Sequence, residues 1–217
     1  MEFYIWWTLI VVSVIFFDPG AILWIKSVTI SAVNKVKGWL KKMQESIAIY
    51  AGSFDPFTKG HAEFVKKVWL THLFSKIIIL VVNNPAKSHM FSMIERVNII
   101  DLSLKKYMWL QDFIEIRSTT GKTVDFISGL DAQNKILVRG LRDGYDLAYE
   151  NQLTTINSHL KENLQTIYIP CDPEYWYISS TLVRTLVEND GSIYDLVNSP
   201  EAEKYIKDSI KMKKELV

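Results

Sequence analysis

The chain has 217 residues, of which 25 are Lys or Arg and 24 are Asp or Glu, so its formal net charge is +1. A charge this close to zero argues against a general polyanion-binding surface, and hence against nucleic acid as a partner, and leaves phosphate binding to local clusters. The single cysteine, Cys171, excludes an internal disulfide, and the four scattered histidines show no zinc-type spacing.

Residues 1–45 differ in composition from the rest of the chain. An apolar run over 3–17 is broken at 18–20, resumes over 21–25 and is followed by several lysines. A membrane helix needs about 20 apolar residues, so the unbroken run is short, and a helix through the break would bury Asp18. Two interpretations stay open: an anchor that touches a membrane through residues 1–25, or an upstream extension, with Met43 as the natural start.

The first strand–turn–helix unit lies at 47–69. The apolar run 47–51 predicts a strand, and apolar residues recur at helical spacing from Ala62 onward. Between them stands GSFDPFTKGH, residues 52–61, in which Gly52 allows a close backbone approach and Asp55-Pro56 marks a turn. Unpaired N–H groups and the positive end of the helix dipole favour phosphate at such a turn, and His61 would point into the same site.

Three more strand predictions follow in chain order, and the first is the β-branched run KIIILVVN at 76–83. A loop at 84–88 leads to a helix that Ser92 would cap, with Glu95 completing a capping box. The inner stripe predicted for that helix consists of Ile94, Val97, Ile100 and Leu104. Further strands are predicted at 113–117 and 135–139, and a short helix at 124–130.

The last third of the chain carries two more groups suited to phosphate. Arg139-Gly140-Leu141-Arg142 directly follows a predicted strand, where open α/β sheets place their ligand-binding loops. A helix is predicted over 143–160 and a strand over 165–170, and ISSTLVR at 178–184 then opens another helix whose hydroxyls and first N–H groups can cap it or bind phosphate. The alternation of strands and helices predicts an α/β fold with a parallel sheet.

Together these motifs resemble the phosphopantetheine adenylyltransferases, from Ile47 to about Ile210. GSFDPFTKGH and ISSTLVR are similar to the two signatures of the nucleotidyltransferase superfamily. RGLRDGYDLAYENQL, from 139 to 153, narrows the resemblance to this family, and residues 84–87 fit the family's lysine loop. The resemblance implies that residues 46–217 form a Rossmann-like nucleotidyltransferase domain, a five-stranded parallel sheet with helices on both faces.

The implied reaction transfers AMP from ATP to 4'-phosphopantetheine and gives dephospho-coenzyme A and pyrophosphate. In-line attack by a phosphate monoester needs no general base. The family further implies Mg²⁺ on the phosphates, a cytoplasmic location and a homohexamer.

Residue roles also come from the resemblance. His61 would stabilise the transition state, while Lys87 and Arg139 would bracket the attacking phosphate. The ATP site would comprise Ser53, Phe54, His61, Gly140, Leu141, Arg142, Glu150, Tyr175, Trp176, Tyr177, Ile178, Ser179, Ser180 and Thr181. The acceptor would contact Ser53, Lys87, Thr123 and Arg139. Thr123 departs from the family, where an apolar residue is more usual.

Two rival functions are weighed against this one. Another small-molecule nucleotidyltransferase, such as one acting on nicotinate mononucleotide, would have similar signatures, but Lys87 and the 139–153 segment argue against it. The apolar amino terminus suggests a membrane-tethered nucleotide-binding protein without catalysis. That alternative is disfavoured because each proposed catalytic position holds a chemically competent residue.

Overall fold

Strands and helices alternate along the chain. The structure is a computed structural model that describes residues 27–38, 46–83, 88–132, 134–142, 144, 146–148, 150–152, 155 and 164–215. The strands are β1 Ser46–Gly52, β2 Lys76–Val82, β3 Ile114–Thr119, β4 Asn134–Leu141 and β5 Gln165–Pro170. The helices are α1 Lys59–Leu70, α2 Met93–Leu104, α3 Thr123–Gly129, α4 Ser180–Glu188 and α5 Pro200–Glu215, with 3-10 segments at Lys105–Phe113 and Pro173–Tyr175.

The five strands form one parallel sheet in the order β3-β2-β1-β4-β5. The predicted α/β fold is therefore confirmed, and the strand predicted at 165–170 has the observed bounds. The chain builds outward from β1 in one direction through β2 and β3, and in the other through β4 and β5. The order of the strands thus reverses between β1 and β4, and open parallel sheets bind ligands beyond the carboxyl ends of the strands at such a point.

The ladder between β1 and β4 is short. It runs from Ser46 opposite Asn134 to Ile49 opposite Leu137, whereas β4 pairs with β5 as far as Leu141 opposite Pro170. Where the ladder ends, Arg139 donates from Nη1 to the backbone oxygen of Ala51 at 2.6 Å. A guanidinium thus continues the link between the two strands at the carboxyl edge of the sheet.

Alternate residues of β1 face opposite apolar layers. Ala48 and Tyr50 belong to a large core cluster that includes residues of α1, α2, α4 and α5. Ile49 and Ala51 belong to a smaller cluster that includes Val124 and Ile127 of α3. A parallel strand covered on both faces is expected to be apolar throughout, which explains the uninterrupted apolar run from which β1 was predicted.

Helix α2 begins at its predicted cap, but its buried face is not the predicted one. Ser92 Oγ accepts from Glu95 N at 3.3 Å, and Glu95 Oε2 accepts from Ser92 N at 2.6 Å, so the capping box is confirmed. The predicted stripe is wrong at Ile94, which is 75% exposed. The buried residues of α2 are Arg96, Ile99, Ile100, Ser103 and Leu104. The helix is rotated so that Arg96 points toward the sheet and forms hydrogen bonds there.

Several predictions fall on the amino-terminal unit or on residues outside the described ranges. The chain divides between Met43 and Gln44 into two units, and in the first of them residues 27–38 are helical and exposed. The apolar segment 1–25 and Lys87 lie outside the described residues. Part of the helix predicted at 143–160 also lies outside the described residues. Its described residues, 144, 146–148, 150–152 and 155, are helical. Among the helices that the structure describes, none is long and apolar enough to cross a membrane.

Candidate active site

The turn after β1 wraps tightly over the end of its strand. Phe54 has a positive φ of 48°, and a side chain at Gly52 would place its Cβ 2.9 Å from the Phe54 ring. The glycine is therefore required for the ring to fold back over the strand. The chain then reaches Thr58, which caps α1 with extended backbone angles.

A hydrogen bond from the backbone orients His61. The N–H of Thr58 donates to His61 Nδ1 at 3.0 Å, and the Thr58 hydroxyl oxygen lies 3.0 Å from the same nitrogen. Because Nδ1 accepts a hydrogen bond, the neutral ring carries its hydrogen on Nε2. Burial, assisted by the positive charge of Arg142, lowers the pKa of His61 to about 4. At neutral pH the side chain is therefore an uncharged N–H donor.

Two adjoining cavities open beyond the ends of β1 and β4. Cavity A, of about 360 Å³, lies against Gly60, Arg142, Asp172, Tyr175 and Ser179. Cavity B, of about 330 Å³, lies against Gly52, Ser53, Asp55, Arg139 and Arg184. The residues that line both are Tyr50, His61, Gly140, Glu150 and Ser180. His61 therefore stands where two neighbouring ligands would meet.

The cavities bring together many of the residues predicted for the site. Ser53, Phe54, Arg139 and Thr181 line cavity B, whereas Arg142, Tyr175, Ile178 and Ser179 line cavity A. His61, Gly140, Glu150 and Ser180 line both cavities. The remaining described residues predicted for the site line neither cavity. Trp176 and Tyr177 are 45% and 62% exposed, Leu141 ends β4, and Thr123 begins α3.

Each arginine of the site is held by a carboxylate. Arg139 Nε lies 3.3 Å from Glu150 Oε2, and Arg142 Nε lies 2.9 Å from Asp146 Oδ2. Arg184 Nη1 lies 3.7 Å from Asp55 Oδ2. Because a guanidinium has five N–H donors, these pairs can fix its position and still leave donors for a phosphate.

The two sequence motifs touch one another directly. Ser180 Oγ donates to the backbone oxygen of Pro56 at 2.8 Å, and Arg184 donates to the backbone oxygen of Asp55 at 2.5 Å. Ser179, one residue earlier, caps α4 by accepting from Leu182 N at 3.1 Å. The beginnings of α1 and α4 therefore face the same space, and both supply the partial positive charge of a helix amino terminus.

Three residues beside the site were not found from the sequence. Tyr50 lines both cavities and packs edge-on against the ring of Phe54, with centroids 5.1 Å apart, and burial raises its pKa. Asp55 and Arg96 are also buried. Arg96 donates to the backbone oxygen of Ser53 in the turn, and Asp55 accepts from the backbone N–H of Phe91. One signal was present, since Arg96 falls three and four residues before Ile99 and Ile100, on the face that periodicity can assign to the core.

Metal binding is not supported by a dedicated set of side chains. Within the described ranges, no group of three His, Cys, Asp or Glu residues is placed to hold a metal ion. The four carboxylates that line cavity A each lie beside a cation: Glu63 beside Lys66, Asp146 beside Arg142, Glu150 beside Arg139 and Asp172 beside Lys67. A divalent ion would therefore take its ligands chiefly from a bound phosphate and water.

The five-stranded parallel sheet, with cavities beyond the carboxyl ends of β1 and β4, is the architecture of α/β proteins that bind ligands where the strand order reverses. The sequence profile of the cytidylyltransferase-like family matches residues 49–186, more than half of the chain. The chain is therefore a member of that family.

Curated relatives narrow the class. A phosphopantetheine adenylyltransferase from Clostridium perfringens is 34% identical over 151 residues, which are 70% of this chain and 87% of the relative. One from Clostridium botulinum is 34% identical over 170 residues, covering 78% and 98%. One from Brucella suis is 37% identical over 158 residues, covering 72% and 94%. The chain belongs to the phosphopantetheine adenylyltransferase family.

Proposed function

We propose that this protein transfers the adenylyl group of ATP to the 4'-phosphate of phosphopantetheine, giving dephospho-coenzyme A and pyrophosphate. The observation that carries the proposal is the position of His61, where cavity A meets cavity B. Cavity A would take ATP and cavity B the acceptor phosphate. Family membership supports the choice of substrates, because the relatives carry the name of this activity.

The chemistry needs no base. An oxygen of the acceptor phosphate attacks the α-phosphorus of ATP, a new P–O bond forms, and the bond from the α-phosphorus to the bridging oxygen breaks. The electron pair leaves with pyrophosphate, and no proton has to move. The protein therefore has to align the two anions and stabilise charge on the transferred group.

His61 is the donor assigned to the transferred group. Its Nδ1 is engaged by Thr58 N at 3.0 Å, so Nε2–H is the side that can act. In the ligand-free protein the pKa of about 4 makes His61 a neutral donor at physiological pH, and bound phosphates would raise that pKa. We assign His61 the role of a hydrogen-bond donor, because the transfer itself requires no proton to move.

The acceptor phosphate is assigned to Ser53 and Arg139 in cavity B, with Lys87, which lies outside the described residues, as a third ligand by resemblance. Arg139 is fixed by its hydrogen bond to the Ala51 oxygen at 2.6 Å. The repulsion between two anionic substrates is the main electrostatic obstacle, and fixed cations reduce it. Thr123 stays a proposed contact of the pantetheine arm only.

The ATP contacts are assigned on the same basis. Arg142 would bind its phosphates, and the remaining contacts are assigned by resemblance to Ser53, Phe54, Gly140, Leu141, Glu150 and residues 175–181. We treat Mg²⁺ as part of the substrate, carried by the ATP phosphates, which agrees with the pairing of the nearby carboxylates with Arg142 and Lys67.

A homohexamer in the cytoplasm is proposed from the resemblance, and light scattering on the purified full chain tests the assembly.

An acceptor assay tests the function. Purified full-length protein is incubated with Mg-ATP and with either 4'-phosphopantetheine, nicotinate mononucleotide or pantetheine without its phosphate. Pyrophosphate release and the product mass are measured. We expect release with 4'-phosphopantetheine alone. Activity only with the mononucleotide would assign the protein to another nucleotidyltransferase, and ATP binding without any release would favour a non-catalytic protein.

A further inference from the structure

A fully buried arginine stands behind the site. Arg96, on α2, is 1% exposed. Its Nη1 donates to the backbone oxygens of Ser53 at 2.8 Å and Val82 at 3.3 Å, and its Nη2 donates to the side-chain oxygen of Asn83. Burial lowers the pKa of Arg96. A buried charge is destabilising unless hydrogen bonds compensate it, so a purely structural position would be occupied more favourably by an apolar residue.

The acceptors of Arg96 lie just beyond a strand ladder. The parallel pairing of β1 with β2 ends at Gly52 opposite Val81. Ser53 is the next residue after β1. Val82 and Asn83 follow Val81 at the end of β2. Arg96 therefore continues, by side-chain hydrogen bonds, the link between two segments whose backbones no longer pair.

A buried carboxylate ties the same turn to a second segment. Asp55 is 4% exposed, and its two oxygens accept from Met90 N and Phe91 N, each at 2.9 Å. The turn that contains Ser53 and Asp55 is thus tied to residue 83 through Arg96 and to residues 90 and 91 through its own carboxylate. Those residues flank the segment that contains Lys87.

We propose that Arg96 and Asp55 are positioning residues for the acceptor phosphate. They fix the turn carrying Ser53 against the end of β2 and against residues 90 and 91, so the Ser53 hydroxyl keeps one position in cavity B. This inference rests on the proposed function, which assigns Ser53 to the acceptor. It goes beyond that function because neither Arg96 nor Asp55 is assigned to bind a substrate.

The effect should fall on the acceptor more than on ATP. Ser53 and Asp55 line cavity B, and neither of them lines cavity A. The backbone of Val82 and the side chain of Asn83 also lie outside the lining of cavity A. Cavity A is bounded instead by residues of α1, by the ends of β4 and β5 and by the start of α4, which Arg96 does not bind through its hydrogen bonds.

The main experiment compares three full-length variants by steady-state kinetics and thermal melting. Arg96→Met removes every donor at similar volume, Arg96→Lys keeps the charge as a single point donor, and Leu104→Ala is a destabilising control eight residues further along α2. In Arg96→Met we expect the KM for 4'-phosphopantetheine to rise by about 10- to 10²-fold. The KM for ATP should rise much less, because only Ser53 and Phe54 of its assigned contacts lie on the turn that Arg96 holds, and most of the others line cavity A. Arg96→Lys should fall between Arg96→Met and wild type, and Leu104→Ala should lower the Tm without changing either KM.

A milder variant covers the case in which Arg96→Met does not fold. Asn83 is exposed, so Asn83→Ala removes one acceptor of Arg96 without opening the core, and the acceptor KM should rise by about 2- to 10-fold. An unchanged KM for 4'-phosphopantetheine in Asn83→Ala, or an equal rise of both KM values in Arg96→Met, would refute the positioning role. Neither result would contradict the proposed function. A wild-type protein that is inactive with 4'-phosphopantetheine would refute the proposed function and this inference with it.

Discussion

At His61, one hydrogen bond decides which nitrogen can act on a phosphate. Thr58 N occupies Nδ1, so only Nε2 is left to donate. We predict that His61→Ala lowers kcat by about 10²- to 10³-fold, because a donor to the transition state is lost, while the dissociation constant of ATP changes little. Single-turnover rates and calorimetric ATP titration measure the two quantities.

A matched control for this prediction is His61→Gln. The Gln amide can place an N–H near the position of Nε2, so we expect it to recover part of the lost rate. If His61→Ala kept the wild-type kcat, His61 would have no role in the transition state. A loss of ATP affinity with an unchanged kcat would indicate that His61 binds the ground state and the transition state equally.

The low pKa of His61 also predicts a dependence of stability on pH. Burial holds the folded pKa at about 4, whereas the unfolded value is about 6.5. The unfolded chain therefore binds more protons between these values, so the contribution of His61 is constant above about pH 6.5 and is lost progressively as the pH falls toward 4.

Urea unfolding of wild type and His61→Gln at pH 7 and pH 5 measures this effect. The wild type should lose up to about 2 kcal/mol more than the variant between the two pH values. An equal loss in both proteins would show that His61 does not titrate differently on unfolding.

The sequence predicts the roles of some site residues more readily than the roles of others. His61 and Ser179 stand at helix starts, where capping and phosphate binding follow from local chemistry, and Ser179 is observed as the cap of α4. Asp55 binds groups 35 and 36 residues away, and Arg96 binds groups 13 to 43 residues away. Their roles depend on which segments meet beyond the ends of the strands, and no local pattern specifies that.

Among the elements, the end of β4 is packed tightly against the segment after β5. A Cβ on Gly140 would lie 2.8 Å from Cys171 Sγ and 3.1 Å from Phe64 Cδ2. We predict that Gly140→Ala lowers the free energy of unfolding by about 1–3 kcal/mol, because the strand or the sulfur must move. The KM for ATP should also rise, since both residues line cavity A.

The double variant Gly140→Ala/Cys171→Ala tests the cause. Removal of the sulfur should restore part of the stability and of the ATP KM, and the remaining loss would reflect the Phe64 contact. Cys171→Ala alone is the matched control and should be close to wild type. If the double variant were no better than Gly140→Ala, the sulfur contact would not be the origin of the loss.

Element types followed from the sequence more reliably than helix orientation did. Strands covered on both faces read as continuous apolar runs, and β5 was predicted with its observed bounds. For α2, apolar spacing alone allowed Ile94 to be placed inside, although it is 75% exposed. The orientation of that helix is set by Arg96, a polar residue that the apolar pattern does not count.

For the whole molecule, the question is whether the amino-terminal unit contributes to catalysis. Every described residue that lines the two cavities lies between Tyr50 and Arg184, in the unit that begins at Gln44. We predict that a variant beginning at Met43 keeps the kcat/KM for both substrates and the thermal midpoint of this unit, because no assigned contact is removed.

The same pair of proteins tests the predicted membrane contact. Residues 27–38 form an exposed helix in which Val28, Ile30, Val33 and Val36 are 46–59% exposed, and the apolar sequences 3–17 and 21–25 precede it. If this extension is an anchor, the full chain should sediment with phosphatidylcholine–phosphatidylglycerol vesicles and the Met43 variant should stay in the supernatant, with equal turnover. Equal partitioning would refute the anchor. A fall in kcat/KM on truncation would instead show that residues 1–42 support the site, and the assignment of catalysis to the second unit alone would be wrong.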